Sequence, residues 1–288
     1  MSTVLASLDY LKWDALFERQ KPYEVFIPTS SFRDEHSVPR SNLVFEKKFI
    51  PIQNARGLEH QFKLDTQGFQ FEKHATNVAN LKDRDSVLTT YVPEMEEFLK
   101  HTLGQPSGIR TLCFDIRLRE AVDPTVFAKK TVNLENGFDP LLPATHPHVD
   151  QSPTGAIRRV HRHLGDEATD LLQSRVRIIN IWRPLDRVTS WPLATCDARS
   201  VNQNDLVTCD IVRRRYTGET CFGLHSEGQQ WFYLSDQDVD EVTLLKIYDS
   251  SDAVDAKFCL HSSFPPEADN VSPQRESLEI RLLVFTKD

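Results

Sequence analysis

No stretch of this 288-residue chain approaches the ~18 consecutive apolar residues of a membrane-spanning helix, so no membrane association is expected. Cysteine is sparse as well. The five cysteines, at positions 113, 196, 209, 221 and 259, are odd in number and show no Cys-x-x-Cys spacing. That argues against a disulfide framework and a zinc ribbon, and leaves them as small buried apolar residues. Positive charge is in deficit: 34 Lys and Arg stand against 42 Asp and Glu, a formal net charge of −8. A nucleic-acid partner held by phosphate neutralisation is therefore not expected. The run Arg213-Arg214-Arg215 reads as a solvated strand edge or loop. The first ten residues lack a basic region ahead of an apolar core, so no signal peptide is expected and the default location is cytoplasmic. There is no internal repeat, no low-complexity tract and no Gly/Ser- or Pro-rich linker. Residues 1–288 are expected to form a single domain.

What is present fits a folded protein, with 39% apolar and 26% charged residues. Lys21 to Glu46 reads as extended loop, and Pro93 to Gly104 as a helix with Pro and acids in its first turn and Gly at its end. A second helix is expected between Gly155 and Gln173, with Gly165 as a break. The remaining periodicity is that of strands: Gly108–Leu118, Arg175–Trp182, Ser200–Val212, Gln229–Leu234, Asp240–Tyr248 and Ser277–Phe285. The first 105 residues look mixed α/β, and 106–288 mainly β with flanking helices. Many short strands separated by turns favour a sandwich or barrel.

The densest cluster of ligand-type side chains is Thr145-His146-Pro147-His148-Val149-Asp150. In a strand, residues i and i+2 face the same way, so His148 and Asp150 project together. His146 is the rival, but it places the carboxylate four residues on. Two His and one carboxylate on one face of an octahedron make the facial triad of non-haem Fe(II) oxygenases. The third ligand must come from elsewhere, with His261 and His225 as candidates. Arg275 and Ser277, 14 and 16 residues after His261, would share a strand face. An Arg fork beside a hydroxyl can hold a carboxylate, as a dicarboxylic cosubstrate needs. Arg281 is the rival for Arg275; it lies on the same face but about 20 Å along the strand.

His-x-Asp, a distal His and then Arg-x-Ser resembles the signature of 2-oxoglutarate/Fe(II) oxygenases. HVDQSP (148–153), IINIWRPL (178–185), PLATCD (192–197), DEVTLLKIYDS (240–250) and RESLEIRLLVF (275–285) are similar to the fungal branch that includes gibberellin desaturase and related hydroxylase/desaturases of secondary metabolism. The opening SLDYLKWDALFERQKPYEVF is also similar. The resemblance implies a double-stranded β-helix (jelly-roll, cupin-like) core over 106–288, with 1–105 as lid and flank. It carries iron ligation onto His148, Asp150 and His261, and 2-oxoglutarate binding onto Arg275 and Ser277. One departure is HSSF at 261–264, where the family pattern has His-Thr-Ala-Phe; the ligand is kept.

The implied reaction is hydroxylation, desaturation or oxidative cyclisation of a small biosynthetic intermediate by O2, with release of succinate and CO2 and ascorbate as the assay reductant. Competing readings are a metal-dependent isomerase or hydrolase on the same triad, which would not use the Arg275/Ser277 pair, and a non-catalytic jelly-roll binding or partner subunit. Homo-oligomerisation is left open. Asn180, Trp182 and Arg183, at the end of an apolar strand, are candidates for the pocket wall. Asn180 and Trp182 share one face, Arg183 the other, and a structural hydrogen bond plus a core Trp accounts for them equally well. Further pocket walls are expected from the N-terminal region and the loops around Phe69 to Phe71 and Pro184 to Cys196. His161 and His163 read as a solvated helix face.

Overall fold

The computed structural model describes residues 2–27, 39–104, 107–128, 130, 132–265 and 275–287. Fourteen strands lie in them: β1 (Thr3–Leu11), β2 (Tyr23–Val25), β3 (Phe45–Asn54), β4 (Phe69–Lys73), β5 (Ile109–Glu120), β6 (His148–Val149), β7 (Arg175–Pro184), β8 (Leu193–Cys196), β9 (Leu206–Val212), β10 (Thr217–Gly223), β11 (Trp231–Tyr233), β12 (Glu241–Asp249), β13 (His261–Ser263) and β14 (Glu276–Thr286). They form a nine-stranded sheet in the order β1-β3-β11-β8-β13-β6-β10-β9-β2 and a five-stranded sheet in the order β4-β12-β7-β14-β5.

The five-stranded sheet shows why the two sheets pack. Along β14, Leu278, Ile280, Leu282 and Val284 join Ile179 and Ile181 of β7 and Ile116 and Leu118 of β5 in one apolar cluster. The helix Val92–Thr102 buries Val92, Met95 and Leu99 against that cluster. The opposite face of the same strands joins the other sheet. There Val176, Ile178, Leu245, Leu283 and Phe285 share a core with Leu8, Tyr10, Ile52 and Trp231. Midway along this inner face the alternation delivers polar residues instead: Ser277, Glu279 and Arg281 on β14, and Asn180 on β7 opposite Arg281. Asp115, Arg117 and Arg119 on β5 stand opposite Arg281, Glu279 and Ser277. Direct cross-strand partners share a face, so this is one polar patch enclosed between two sheets.

The five later strand expectations and the Gly108–Leu118 strand correspond to β5, β7, β9, β11, β12 and β14. Within Ser200–Val212, however, only Leu206–Val212 is strand. Ahead of it, Asp197 and Asn202 side chains accept the Arg199 and Asn204 N–H groups and cap two 3₁₀ turns, Ala198–Ser200 and Gln203–Asp205. The helix expected from Pro93 is preceded by helical turns from Arg84. A π-helical turn, Val87–Tyr91, accommodates a proline that has no N–H to continue an α ladder. Gly165, at φ 50°, ends the helix Pro153–Leu164, and a short helix Ala168–Leu171 follows. The segment expected to be loop, Lys21 to Glu46, contains β2 and the first residues of β3, while residues 28–38 lie outside the described ones. The mixed region before residue 105 contributes β1, β2 and β3 to one sheet and β4 to the other.

Candidate metal and cosubstrate site

His148 sits on β6, a strand of only two residues held between two neighbours. It pairs with Phe222 of β10 on one side and with His261 of β13 on the other. The antiparallel register therefore sets the two imidazoles side by side, with ring centroids 4.3 Å apart. Asp150 follows just after β6, and ligand atoms of His148, Asp150 and His261 all lie within 4.8 Å of one another. Each His is oriented by a backbone carbonyl two residues before it. His148 Nδ1 is 2.8 Å from His146 O and His261 Nδ1 is 3.0 Å from Cys259 O. A carbonyl oxygen only accepts, so Nδ1 carries the proton in both rings and each Nε2 presents a lone pair.

Asp150 is held from both sides. Asn180 Nδ2 donates to Oδ2 at 2.6 Å, and Arg281 Nη2 donates to Oδ1 at 2.9 Å. Burial by itself would raise the Asp150 pKa. Arg281, both histidines and the Asn180 hydrogen bond outweigh burial and hold the carboxyl below the usual carboxylate range. Burial, reinforced by His261, pushes the His148 imidazole down to about 3. The trio thus offers two imidazole Nε2 atoms and one carboxylate, the donor set of a facial Fe(II) site.

Arg275 is 3% exposed and stands just ahead of β14. Its Nη1 donates to Trp191 O and to Ser263 Oγ, both at 2.9 Å. Ser263 lies two residues beyond His261 on β13, so this contact anchors the guanidinium beside the triad. The Trp191 carbonyl comes from a residue at φ 51°, a left-handed conformation uncommon for a large aromatic. The Trp182 ring lies 5.6 Å from the guanidinium carbon. Nε and Nη2 of Arg275 are buried without a hydrogen-bond partner among the described residues. Burial, with Arg119 adding to it, pushes this guanidinium down to about 9. Two orphaned buried donors on a destabilised cation are what a missing carboxylate would satisfy. Ser277, also buried, lies directly opposite Arg119.

Of the three pocket-wall candidates, Asn180 touches Asp150 and Trp182 packs against Arg275. Arg183 does not join them, because the strand alternation sends it to the other face. There it is bound by Tyr91 Oη at 2.8 Å, Val239 O at 2.5 Å and His74 Nδ1 at 2.8 Å. Neither rival histidine enters the triad. His146 stacks on Phe45 at 3.7 Å, and His225 meets Tyr10 edge-on at 5.2 Å. Arg281 is paired with Asp150, Glu279 and Asp115, which leaves it committed to carboxylates already present. Phe69 and Phe71 belong to the core between the sheets. His163 is not solvated as expected: its Nε2 is buried, near Phe114.

A cavity of about 330 Å³ opens over His148 and Asp150 and extends past Arg119 and Arg281 to Arg159, Arg213 and Tyr216. Arg159 escaped the sequence reading, and Arg213, read as part of a solvated strand edge or loop, lines this cavity instead. The run DIRLRE in β5 was the one available signal for a charged inner face, with acid or base at every second residue. The five cysteines are all free thiols, and burial pushes those of Cys113, Cys196 and Cys209 up to about 12.

Comparison with known proteins gives a consistent picture. A family model described as "Oxidoreductase/YMDC permease-like domain" matches residues 8–285. No helix among the described residues is long and apolar enough to cross a membrane. The chain is 35% identical over 260 residues to the hydroxylase/desaturase CTB9 of Cercospora beticola, covering 85% of this chain and 78% of that one. It is 33% identical over 245 residues to the Fe(II)/2-oxoglutarate-dependent dioxygenase nvfI of Aspergillus novofumigatus, covering 82% of each. The solved structure of the iron and alpha-ketoglutarate-dependent endoperoxidase NvfI superposes with a TM-score of 0.83 at 26% identity, covering 100% of this chain and 99% of that one. With its jelly-roll core and its His-Asp-His cluster, the chain belongs to the family of Fe(II)/2-oxoglutarate-dependent oxygenases that contains these fungal hydroxylase/desaturases.

Proposed function

We propose that His148, Asp150 and His261 bind the Fe(II) of this oxygenase. Arg275 with Ser277 receives the distal carboxylate of 2-oxoglutarate, and the substrate enters through the cavity lined by Arg119 and Arg281. The observation that carries the reading is the pairing of a three-donor cluster within 4.8 Å with the two partnerless donors of Arg275 nearby. When bound, the metal and cosubstrate together supply the oxidising power that activates a C–H bond, with succinate and CO2 as co-products. The chain's own residues orient and enclose. The His146 and Cys259 carbonyls fix the two imidazoles, and Asn180 and Arg281 fix the carboxylate while each oxygen keeps lone-pair capacity. The low His148 pKa keeps protons from competing for its Nε2 near neutral pH.

The product is a hydroxylated, desaturated or cyclised form of a small biosynthetic intermediate, in line with the relatives named hydroxylase/desaturase. His148→Ala and His261→Ala should each abolish iron-dependent conversion of 2-oxoglutarate to succinate. They should also abolish the visible charge-transfer band that forms when Fe(II) and 2-oxoglutarate are added anaerobically. Retained turnover or an intact band in either variant would exclude these residues as ligands.

A further inference from the structure

The cavity over His148 and Asp150 carries more positive charge than the reaction explains. Five arginines line it: Arg117, Arg119, Arg159, Arg213 and Arg281. Two of them are neutralised, since Arg117 pairs with Asp115 and Arg281 with Asp115, Asp150 and Glu279. Arg119 stands opposite Ser277 and belongs to the cosubstrate end. Arg159 and Arg213 remain at the outer end. Arg159 Nε donates to the Gln151 amide oxygen at 3.3 Å, and Arg213 Nη1 to Leu134 O at 3.3 Å. Neither has a carboxylate partner among the described residues. Of the three acids of the wall, Asp150 is held by Arg281 and Asn180 and Glu219 by Lys21 and Ser152, while Glu24 makes no ion pair with either arginine among the described residues. Burial pushes both guanidiniums below their ordinary range, and Arg117 adds to the effect on Arg213.

Tyr216 lines the same cavity. Its ring is overlaid by Arg159 at 4.7 Å and by Arg162 at 4.2 Å. Its hydroxyl lies buried in the cavity wall without a hydrogen-bond partner among the described residues. Gly218 makes the arrangement fit, because a Cβ there would stand 3.1 Å from Tyr216 Cε1 and 3.9 Å from Arg159 Nη2. A buried hydroxyl free to donate, in one wall with two guanidiniums that Asp115 attracts only from beyond ion-pair distance, is complementary to an oxyanion. A volume of about 330 Å³ admits a small organic molecule rather than an inorganic ion alone.

We propose that the substrate of this oxygenase is an organic carboxylic acid whose carboxylate is held by Arg159, Arg213 and the Tyr216 hydroxyl, so that a carbon further along the molecule reaches the triad. The placement of the oxidised carbon rests on the triad reading above; the anion site does not.

The test uses the full chain loaded with Ni(II) in place of iron and saturated with 2-oxoglutarate, which prevents turnover and fills the Arg275 end. Benzoate, 1-naphthoate and decanoate are titrated calorimetrically, each beside its primary amide. At least one acid should bind about tenfold or more tightly than its amide, the scale expected of charge-assisted hydrogen bonds. Arg159→Gln and Arg213→Gln should each remove most of that preference and leave the 2-oxoglutarate Kd within about twofold. Tyr216→Phe should weaken the acid severalfold with no loss of thermal stability, because the hydroxyl it removes has no partner to lose. The proposal is overturned if no acid binds better than its amide, or if the preference survives both arginine variants. It is also overturned if those variants weaken 2-oxoglutarate as strongly as Arg275→Gln, which would assign the outer arginines to the cosubstrate. Failure of the wild-type chain to bind Ni(II) and 2-oxoglutarate would instead strike the triad reading, and the acid-against-amide comparison can then be read on the metal-free chain.

Discussion

Asn180 is completely buried in a strand of isoleucines, and its amide nitrogen is spent on Asp150 Oδ2 at 2.6 Å. An amide in such surroundings needs a strong partner to offset its desolvation, and an ionised carboxylate is one. Asn180→Ala should weaken iron binding by about 10–100-fold, as loss of a group that orients a metal ligand does. Metal titration of the variant against wild type measures it; an unchanged Kd would make Asn180 a packing residue. Arg275→Gln should raise the Km for 2-oxoglutarate far more than the Km for substrate. Truncating one side of a buried charge pair costs about 2–5 kcal/mol, or about 30-fold and upward. An unchanged Km would shift the anchor to Arg119, the cation opposite Ser277. The His148 pKa, down from 6.5 to about 3, has a consequence for the metal-free protein. An unfolded imidazole takes up its proton near its ordinary value while the folded one does not, so stability is full above about pH 6.5 and declines as pH falls toward 3. Melting of the metal-free chain between pH 7 and 4 should show that decline, and His148→Gln should make it shallower, the remainder coming from His74, His146 and His163, which burial also holds below their ordinary value.

At the scale of elements, the site is built from strands too short to be recognised alone. β6 has two residues and β13 three, and neither carries its own pattern. What aligns them is their pairing with each other between longer neighbours: His261 faces His148 across the ladder and Thr195 of β8 on its other side, and His148 faces Phe222 of β10. The long strands were readable because each buries two different faces, isoleucine and leucine on one and an apolar–polar mixture on the other. The strands of the first 105 residues were not, since their alternation is weak: β3 reads FEKKFIPIQN and buries only Ile50 and Ile52. Close approach of a loop to a strand leaves one sharp test. Gly68 sits at φ +90°, just ahead of β4, where a Cβ would lie 2.2 Å from the Phe258 carbonyl oxygen. Gly68→Ala should destabilise by more than about 2 kcal/mol through combined backbone strain and clash. A denaturant midpoint close to wild type would show that the Phe258 segment yields.

Over the whole molecule, the two sheets meet on one core whose middle is polar, and charge is used structurally away from the site as well. Lys246 and Asp249 are both fully buried at the side chain and bond at 2.7 Å, with Arg175 reaching the same carboxylate at 2.6 Å and Asp65 closing the group. Removing one partner of such a group strands the rest. Lys246→Met should cost about 3–5 kcal/mol of stability while sparing 2-oxoglutarate binding, because the network stands apart from the triad. Thermal unfolding beside a cosubstrate titration separates the two effects; a variant as stable as wild type would mean that packing alone holds β7 to β12.

The residues by themselves determined the chemistry on offer: the His-x-Asp spacing, the distal His tied to an Arg-x-Ser, and the strand periodicity that makes the second half mainly β. Those are local or near-local properties, set by the two-residue repeat of a strand. Only the tertiary structure decided that Arg281 grips Asp150, that Arg183 turns away, and that Arg159 and Arg213 converge on one cavity from a helix and a loop 54 residues apart. Each depends on which faces two sheets bury against each other. Sheet register and packing determine that, and no spacing along the chain encodes it.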